Sequence, residues 1–99
     1  ALLCERFDAE TARGLGMVNW VVPHKALVSE TTKLSRRLAN GPTCAYGNTK
    51  NLLNASLHSS LDDQLQSEAE SFAACAGTSD FVEGITAFTE KRAAKFKGK

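Results

Sequence analysis

Apolar side chains recur every three or four positions from His24 onward, which is the spacing of one face of an α-helix. Four such stripes follow one another, and most charged residues fall outside them. We therefore predict four consecutive helices. The residues of the four stripes are, in order, Leu27, Thr31, Leu34 and Leu38; Ala45, Thr49, Leu52, Leu53 and Leu57; Leu61, Leu65, Ala69, Phe72 and Ala76; and Phe81, Ile85 and Phe88.

Residues that start or stop helices lie between these stripes. Gly41 and Gly77 are placed to end the first and third helices. Ser60, followed three residues later by an aspartate, resembles a capping box at the start of the third helix. Asp80 with Glu83 matches the capping box better, so we expect this pair to open the fourth helix.

The first 23 residues follow a different pattern. Residues 8–14 begin with Asp8, a good N-cap, and end at Gly14, which predicts a short helix. Met17–Val22 is rich in β-branched and aromatic residues and stops at Pro23, which predicts one strand. The predicted fold class is mainly α, with a short N-terminal helix and one strand followed by about four helices.

Charge is distributed unevenly along the chain. The 99 residues suit one small domain, and a hydrophobic fraction of 42% is that of a globular protein. No apolar run approaches the roughly 20 residues that cross a bilayer, so we expect neither a membrane span nor a membrane partner. Residues 91–99 contain five of the 12 Lys and Arg residues and none of the 11 acids. The chain therefore combines an acidic body with a basic tail.

Few residues have the spacing of a metal or catalytic site. Cys4, Cys44 and Cys75 are odd in number and form no C-x-x-C pair, so we predict free thiols in a cytoplasmic protein. His24 and His58 have no Cys or His at ligand spacing, and we expect no metal. The paired acids on the predicted helices are interpreted as solvated faces, so no catalytic residue is predicted.

The basic tail leaves three interpretations open. The cations can end a helix and keep a frayed terminus soluble. They can bind nucleic acid or an anionic surface, with Phe96 as the aromatic among them. They can also bind one phosphate-bearing ligand, with Phe88 beside a ring and Lys91 beside a phosphate, because residues at i and i+3 share one helix face.

The order of short motifs resembles the C-terminal region of the crotonase superfamily, the enoyl-CoA hydratases and isomerases. Val21-Val-Pro23 looks like the V-V-P that closes a strand in this family, and Ala39-Asn-Gly-Pro42 is similar to the junction of two of its helices. The family's ending, D-x-x-E-G-x-x-A-F-x-E-K-R…P-x-F-x-G, is matched by Asp80-Phe-Val-Glu-Gly-Ile-Thr-Ala-Phe-Thr-Glu-Lys-Arg92 and Phe96-Lys-Gly98. Ala94 stands where many members have proline.

The resemblance implies a division of labour along the chain. Residues 1–23 would be the end of the crotonase αβ core, and residues 24–99 a C-terminal helical oligomerisation region. The family's catalytic glutamates and oxyanion-hole amides lie upstream of the segment matching Leu3, so this chain would carry none of them. In several members, an aromatic and a lysine of the last helix contact coenzyme A bound to a neighbouring subunit. These two positions match Phe88 and Lys91.

Two functions follow as hypotheses. In the first, the parent protein hydrates or isomerises a double bond of an acyl-CoA thioester as a homotrimer or hexamer. It would need no cofactor besides the coenzyme A of its substrate and no nucleic-acid partner. In the second, the chain is a stand-alone helical interaction module whose basic tail binds nucleic acid or an anionic surface. The start at Ala1, without a methionine, favours a piece of a longer protein and hence the first hypothesis.

Overall fold

A computed structural model describes residues 5–99, so Cys4 lies outside the described residues. The chain divides into two compact units, Ala1–Lys33 and Leu34–Lys99. Its helices are α1 (Ala9–Gly14), a 3₁₀ turn (His24–Ala26), α2 (Leu27–Ala39), α3 (Thr43–Ala55), α4 (Leu61–Ala76) and α5 (Ser79–Thr89). The mainly α fold class is confirmed, and so are a short first helix and four helices after residue 24.

The N-terminal unit contains α1, which starts where the sequence predicts. Asp8 Oδ1 accepts a hydrogen bond from the Thr11 amide at 2.8 Å, so the aspartate caps the helix. One turn further on, the Arg13 guanidinium pairs with the Glu10 carboxylate at 2.8 Å. The helix ends at Gly14, and Gly16 follows with a φ of +73°, a conformation that glycine adopts without steric cost.

The predicted strand at Met17–Val22 is wrong for the described residues. A strand is held by main-chain hydrogen bonds to a neighbouring strand. No segment within residues 5–99 pairs with Met17–Val22, and this stretch has no regular secondary structure. Its β-branched and aromatic residues favour an extended chain, but this preference does not supply the neighbour that makes a strand. Trp20 is consequently 69% exposed.

Local capping sets the bounds of α4. Ser60 Oγ accepts the Asp63 amide at 3.2 Å and donates to Asp63 Oδ2 at 2.7 Å, which confirms the predicted cap. Gly77 is the C-cap, and its amide donates to the Ala73 carbonyl oxygen. α2 ends at Ala39, just before Gly41, also as predicted.

Three helices of the C-terminal unit pack in chain order, with α3 against α4 and α4 against α5. Asn48 on α3 donates a side-chain hydrogen bond to the Cys75 sulfur on α4 at 3.1 Å. The Phe72 and Phe81 rings meet edge to face, with their centroids 6.0 Å apart, and so join α4 to α5. These contacts place the first turn of α5 beside the end of α4.

Much of the apolar surface of these helices is not covered. Ala87 is 2% exposed and Asp80 is 5% exposed, whereas Leu57, Leu61 and Phe88 are 79%, 73% and 87% exposed. Exposed apolar residues in such a series typically mark surfaces that meet another polypeptide or a ligand. None of the described helices combines the length and hydrophobicity needed to cross a membrane.

Candidate functional site

The C-terminal end of α5 closes in a Schellman turn. Thr89 is the last helical residue, and Lys91 follows with a φ of 54° in the left-handed region. The Lys91 amide donates to the Phe88 carbonyl oxygen at 3.2 Å, and the Arg92 amide donates to the Ala87 carbonyl oxygen at 3.0 Å. These two bonds are the pair that defines this way of ending a helix.

Lys91 occupies the position of this turn at which glycine is most common. A side chain in the left-handed region costs about 1 to 2 kcal/mol, because its Cβ crowds the following carbonyl oxygen. Among residues 5–99, Lys91 is the only residue other than glycine with a positive φ. Strain of this kind is concentrated at functional sites, which makes Lys91 a candidate on structural grounds as well.

Phe88 and Lys91 are brought together by the turn and not by a shared helix face. The predicted i, i+3 pairing on α5 is wrong in this respect, because the helix ends before Lys91. Both side chains are exposed, and no ion pair in the described part of the chain engages the Lys91 amine. An aromatic ring and an ammonium group are therefore both accessible at one end of α5.

The start of α5 also differs from the prediction. Thr78 is the N-cap, and its hydroxyl oxygen accepts the Phe81 amide at 3.2 Å. Asp80 and Glu83 lie inside the helix and do not form a capping box. Their carboxylates bind the chain that follows α5 instead.

Glu83 holds the beginning of the tail. Its carboxylate oxygens accept two parallel hydrogen bonds from the Arg92 guanidinium, at 2.7 and 2.9 Å, and Oε1 also accepts the Lys95 amide at 2.7 Å. The bond to Arg92 and the amide of Lys95 lower the pKa of Glu83 from 4.5 to about 2. Arg92 is bonded to Glu90 as well, at 2.6 Å.

Asp80 holds the last residues of the tail. Its two carboxylate oxygens accept the amides of Lys97 and Gly98 at 2.7 and 2.8 Å, while its own amide donates to the Lys99 main-chain oxygen at 2.9 Å. Ser79 donates its hydroxyl to the same Lys99 oxygen. We call residues 92–99, held in this way by Asp80 and Glu83, the tail clasp.

Close packing completes the tail clasp. A Cβ on Gly84 would lie 3.6 Å from the Phe96 ring, so the ring packs directly over this glycine. Gly98 has a φ of +74°, and a Cβ there would come within 2.5 Å of the Thr43 hydroxyl. The tail is therefore ordered against α5 and the start of α3, and its interpretation as a frayed terminus is wrong.

The acid dependence of the tail clasp follows from Glu83. Because folding lowers the pKa of Glu83, its contribution to stability is present above about pH 4.5 and is lost as the pH falls toward 2. We expect the unfolding free energy of a Glu83→Gln variant to depend less on pH in this interval. Denaturant unfolding at a series of pH values measures it, and identical pH profiles for the two proteins would contradict the assignment.

Two thiols line a cavity that also reaches Asp80 and Gly84. Cys44 and Cys75 are free and line an apolar cavity of about 300 Å³ together with Phe81 and Ile85. In residues 5–99, no three His, Cys, Asp or Glu side chains are grouped so that they could hold a metal ion.

Comparison with known proteins identifies the family. The sequence model of the enoyl-CoA hydratase/isomerase family matches residues 1–99. The 1,2-epoxyphenylacetyl-CoA isomerase of Escherichia coli K12 is 35% identical over the whole chain, which covers 38% of that protein. The crotonyl-CoA hydratase of Syntrophomonas wolfei is 35% identical over 92 residues, which are 93% of this chain and 35% of that protein.

Solved structures agree with the sequence comparison. An enoyl-CoA hydratase of Geobacillus kaustophilus superposes with a TM-score of 0.90 at 30% identity, over 99% of this chain and 37% of that one. An enoyl-CoA hydratase of Mycobacterium marinum gives 0.85 at 32% identity, over 100% and 39%. The chain thus spans less than two-fifths of the length of these relatives. Its sequence and its helices both show that it belongs to the enoyl-CoA hydratase/isomerase family.

Proposed function

We propose that this chain is the C-terminal part of an enzyme that hydrates or isomerises a double bond of acyl-CoA thioesters. In this proposal, its Phe88 ring and Lys91 amine form one wall of the coenzyme A pocket of a neighbouring subunit. The observation that carries the proposal is the left-handed conformation of Lys91 next to the exposed Phe88.

The chemistry of the two side chains suits the adenosine end of coenzyme A. A flat aromatic ring stacks on a purine, and an unpaired ammonium forms a charge-assisted contact with a ribose phosphate. A lysine at a position that favours glycine raises the energy of the folded chain. A contact made by the lysine side chain would explain why the strain is retained at this residue.

The remaining chemistry is assigned to residues outside this chain. The relatives are more than twice as long as this chain. In this proposal, the catalytic glutamates and the oxyanion-hole amides belong to the part of the enzyme that precedes these helices. Three exposed leucines would supply apolar contacts between subunits of a homotrimer or hexamer: Leu53 on α3, Leu57 in the turn that follows it, and Leu61 on α4.

The test is a Lys91→Ala variant of the full-length protein. Its KM is measured for acyl-CoA esters and for the same esters of 3′-dephospho-coenzyme A. We expect the KM for the phosphorylated esters to rise roughly tenfold to a hundredfold, which corresponds to one charge-assisted contact, and the KM for the others to change little.

The matched control is Lys97→Ala. It removes an exposed lysine side chain of the same tail but leaves the Lys97 amide that binds Asp80. We expect this variant to keep the KM of the parent for both substrates. A Lys91→Ala variant that loses affinity equally for both esters would exclude Lys91 as the phosphate contact.

A further inference from the structure

We propose that Asp80 and Glu83 are positioning residues for Lys91: through the tail clasp they keep the turn at the end of α5 in its left-handed form. This inference rests on the proposed function, because it assigns to the clasp the task of presenting the Lys91 amine to the phosphate. It concerns residues that touch neither coenzyme A nor the acyl group.

The turn at the end of α5 is bonded on both sides of Lys91. On the helix side, the Lys91 amide donates to the Phe88 carbonyl oxygen. On the tail side, the Arg92 amide is bonded to Ala87, and the Arg92 guanidinium is bonded through two parallel hydrogen bonds to Glu83. The residue after Lys91 is therefore anchored by both its main chain and its side chain.

The tail runs back along α5. Arg92 and Lys95 are bonded to Glu83, and the later residues Lys97 and Gly98 are bonded to Asp80, one helical turn nearer the start of α5. A chain that leaves the end of a helix and returns antiparallel along it must reverse direction at once. The left-handed residue of the turn produces this reversal.

Removal of these anchors would free the backbone of Lys91. A lysine released from the tail clasp is no longer required to keep a positive φ, and it relaxes to the more favourable negative values. Its side chain then leaves the Cα in another direction. Only the fraction of molecules with the left-handed turn presents the amine correctly, and the apparent affinity falls by that fraction.

Asp80 and Glu83 are also suited to this role by what they bind. Asp80 is 5% exposed, and both of its carboxylate oxygens are occupied by main-chain amides. Glu83 binds one amide and a guanidinium. Both carboxylates are engaged by groups of the tail, so both are assigned to holding the chain.

A double-mutant cycle in the full-length protein tests the inference. Glu83→Gln is made alone and in the Lys91→Ala background, and the Kd is measured for an acyl-CoA ester and for its 3′-dephospho analogue. We expect Glu83→Gln to weaken binding of the phosphorylated ester about threefold to tenfold, corresponding to a left-handed fraction of one third to one tenth. We expect no change for the analogue, and no further loss when Lys91 is already alanine.

A general structural defect predicts a different result. It would lower the affinity for both esters, and it would lower the affinity by the same factor whether residue 91 is lysine or alanine. Either outcome would overturn the positioning role. Arg92→Ala removes the other partner of the Glu83–Arg92 ion pair, so it should reproduce the effect of Glu83→Gln. The control is Glu10→Gln, which removes a carboxylate from the exposed Glu10–Arg13 pair and should change no Kd.

Amide hydrogen exchange of Arg92 separates this inference from the proposed function. We expect Glu83→Gln to speed exchange at Arg92, because the bond to Ala87 opens with the turn. Unchanged exchange at Arg92 overturns the positioning role even where Lys91→Ala confirms the pocket. The opposite combination is also informative. If Glu83→Gln speeds exchange at Arg92 but Lys91→Ala leaves the affinity unchanged, the tail clasp does hold the turn. The assignment of Lys91 to the coenzyme A pocket is then overturned.

Discussion

A Lys91→Gly variant is expected to be more stable than the parent chain and to bind acyl-CoA esters less tightly. Glycine adopts a φ near +54° without crowding a Cβ, so the strain at the end of α5 disappears. The greater freedom of glycine in the unfolded chain offsets part of this gain, which leaves about 0.5 to 1 kcal/mol. The amine that would bind the phosphate is lost in the same step, at a cost of about 1.5 to 3 kcal/mol in binding.

Lys91→Ala is the matched control, because it removes the amine but keeps the strained Cβ. We expect the two variants to lose affinity to a similar degree, whereas only the glycine variant gains stability. Denaturant unfolding and titration with an acyl-CoA ester measure the two effects separately. A glycine variant that binds as tightly as the parent protein, or that is less stable than the alanine variant, would remove the argument from strain to function.

Asp80→Ala is expected to release the end of the tail from α5. The substitution leaves the amides of Lys97 and Gly98 without acceptors, and an unsatisfied amide costs about 1 to 3 kcal/mol if it stays out of water. Because the released segment can rehydrate, we expect the unfolding free energy to fall by about 2 to 4 kcal/mol and not by the full sum. Amide hydrogen exchange at Lys95, Lys97 and Gly98 should become fast, and trypsin should cleave the tail lysines.

The control for Asp80→Ala is Asp62→Ala. Asp62 has the same position in α4 that Asp80 has in α5, the second residue of the helix, but it is exposed. Its loss therefore reports only the interaction with the helix dipole, about 0.3 to 1 kcal/mol. Asp80→Asn keeps one acceptor oxygen and should fall between the two. Equal effects of Asp80→Ala and Asp62→Ala would show that the tail contacts do not stabilise the fold.

The helices and several of their caps could be predicted from the sequence because they depend on residues that are close together in the chain. The apolar period, the Asp8 and Ser60 caps and the stop at Gly77 each involve residues within one or two turns of one another. The prediction of a strand at Met17–Val22 was wrong because the stability of a strand depends on a partner that is distant in sequence. The composition of this segment favours an extended chain, but it does not show whether a partner strand is present.

The tail clasp was missed for a related reason. Asp80 and Glu83 have the spacing of a capping box, but the groups that donate hydrogen bonds to them, the amides of residues 95, 97 and 98, are main-chain groups. Such amides are present at every residue except proline, so they leave no signal in the sequence. The one available signal was the opposite charge of Glu83 and Arg92. It indicates a salt bridge only once the chain is known to turn back along α5.

The end of α5 therefore depends both on local sequence and on contacts that form only in the folded chain. The order of apolar and capping residues was sufficient for a mainly helical chain, and the motifs were sufficient for its family, because both are written in short stretches of sequence. The conformation of Lys91 is different, because a lysine does not choose a left-handed backbone by its own preference. It is imposed by a tail that Glu83 and Asp80 bind about two and three turns before Lys91. Such a contact exists only after the chain has folded back on itself.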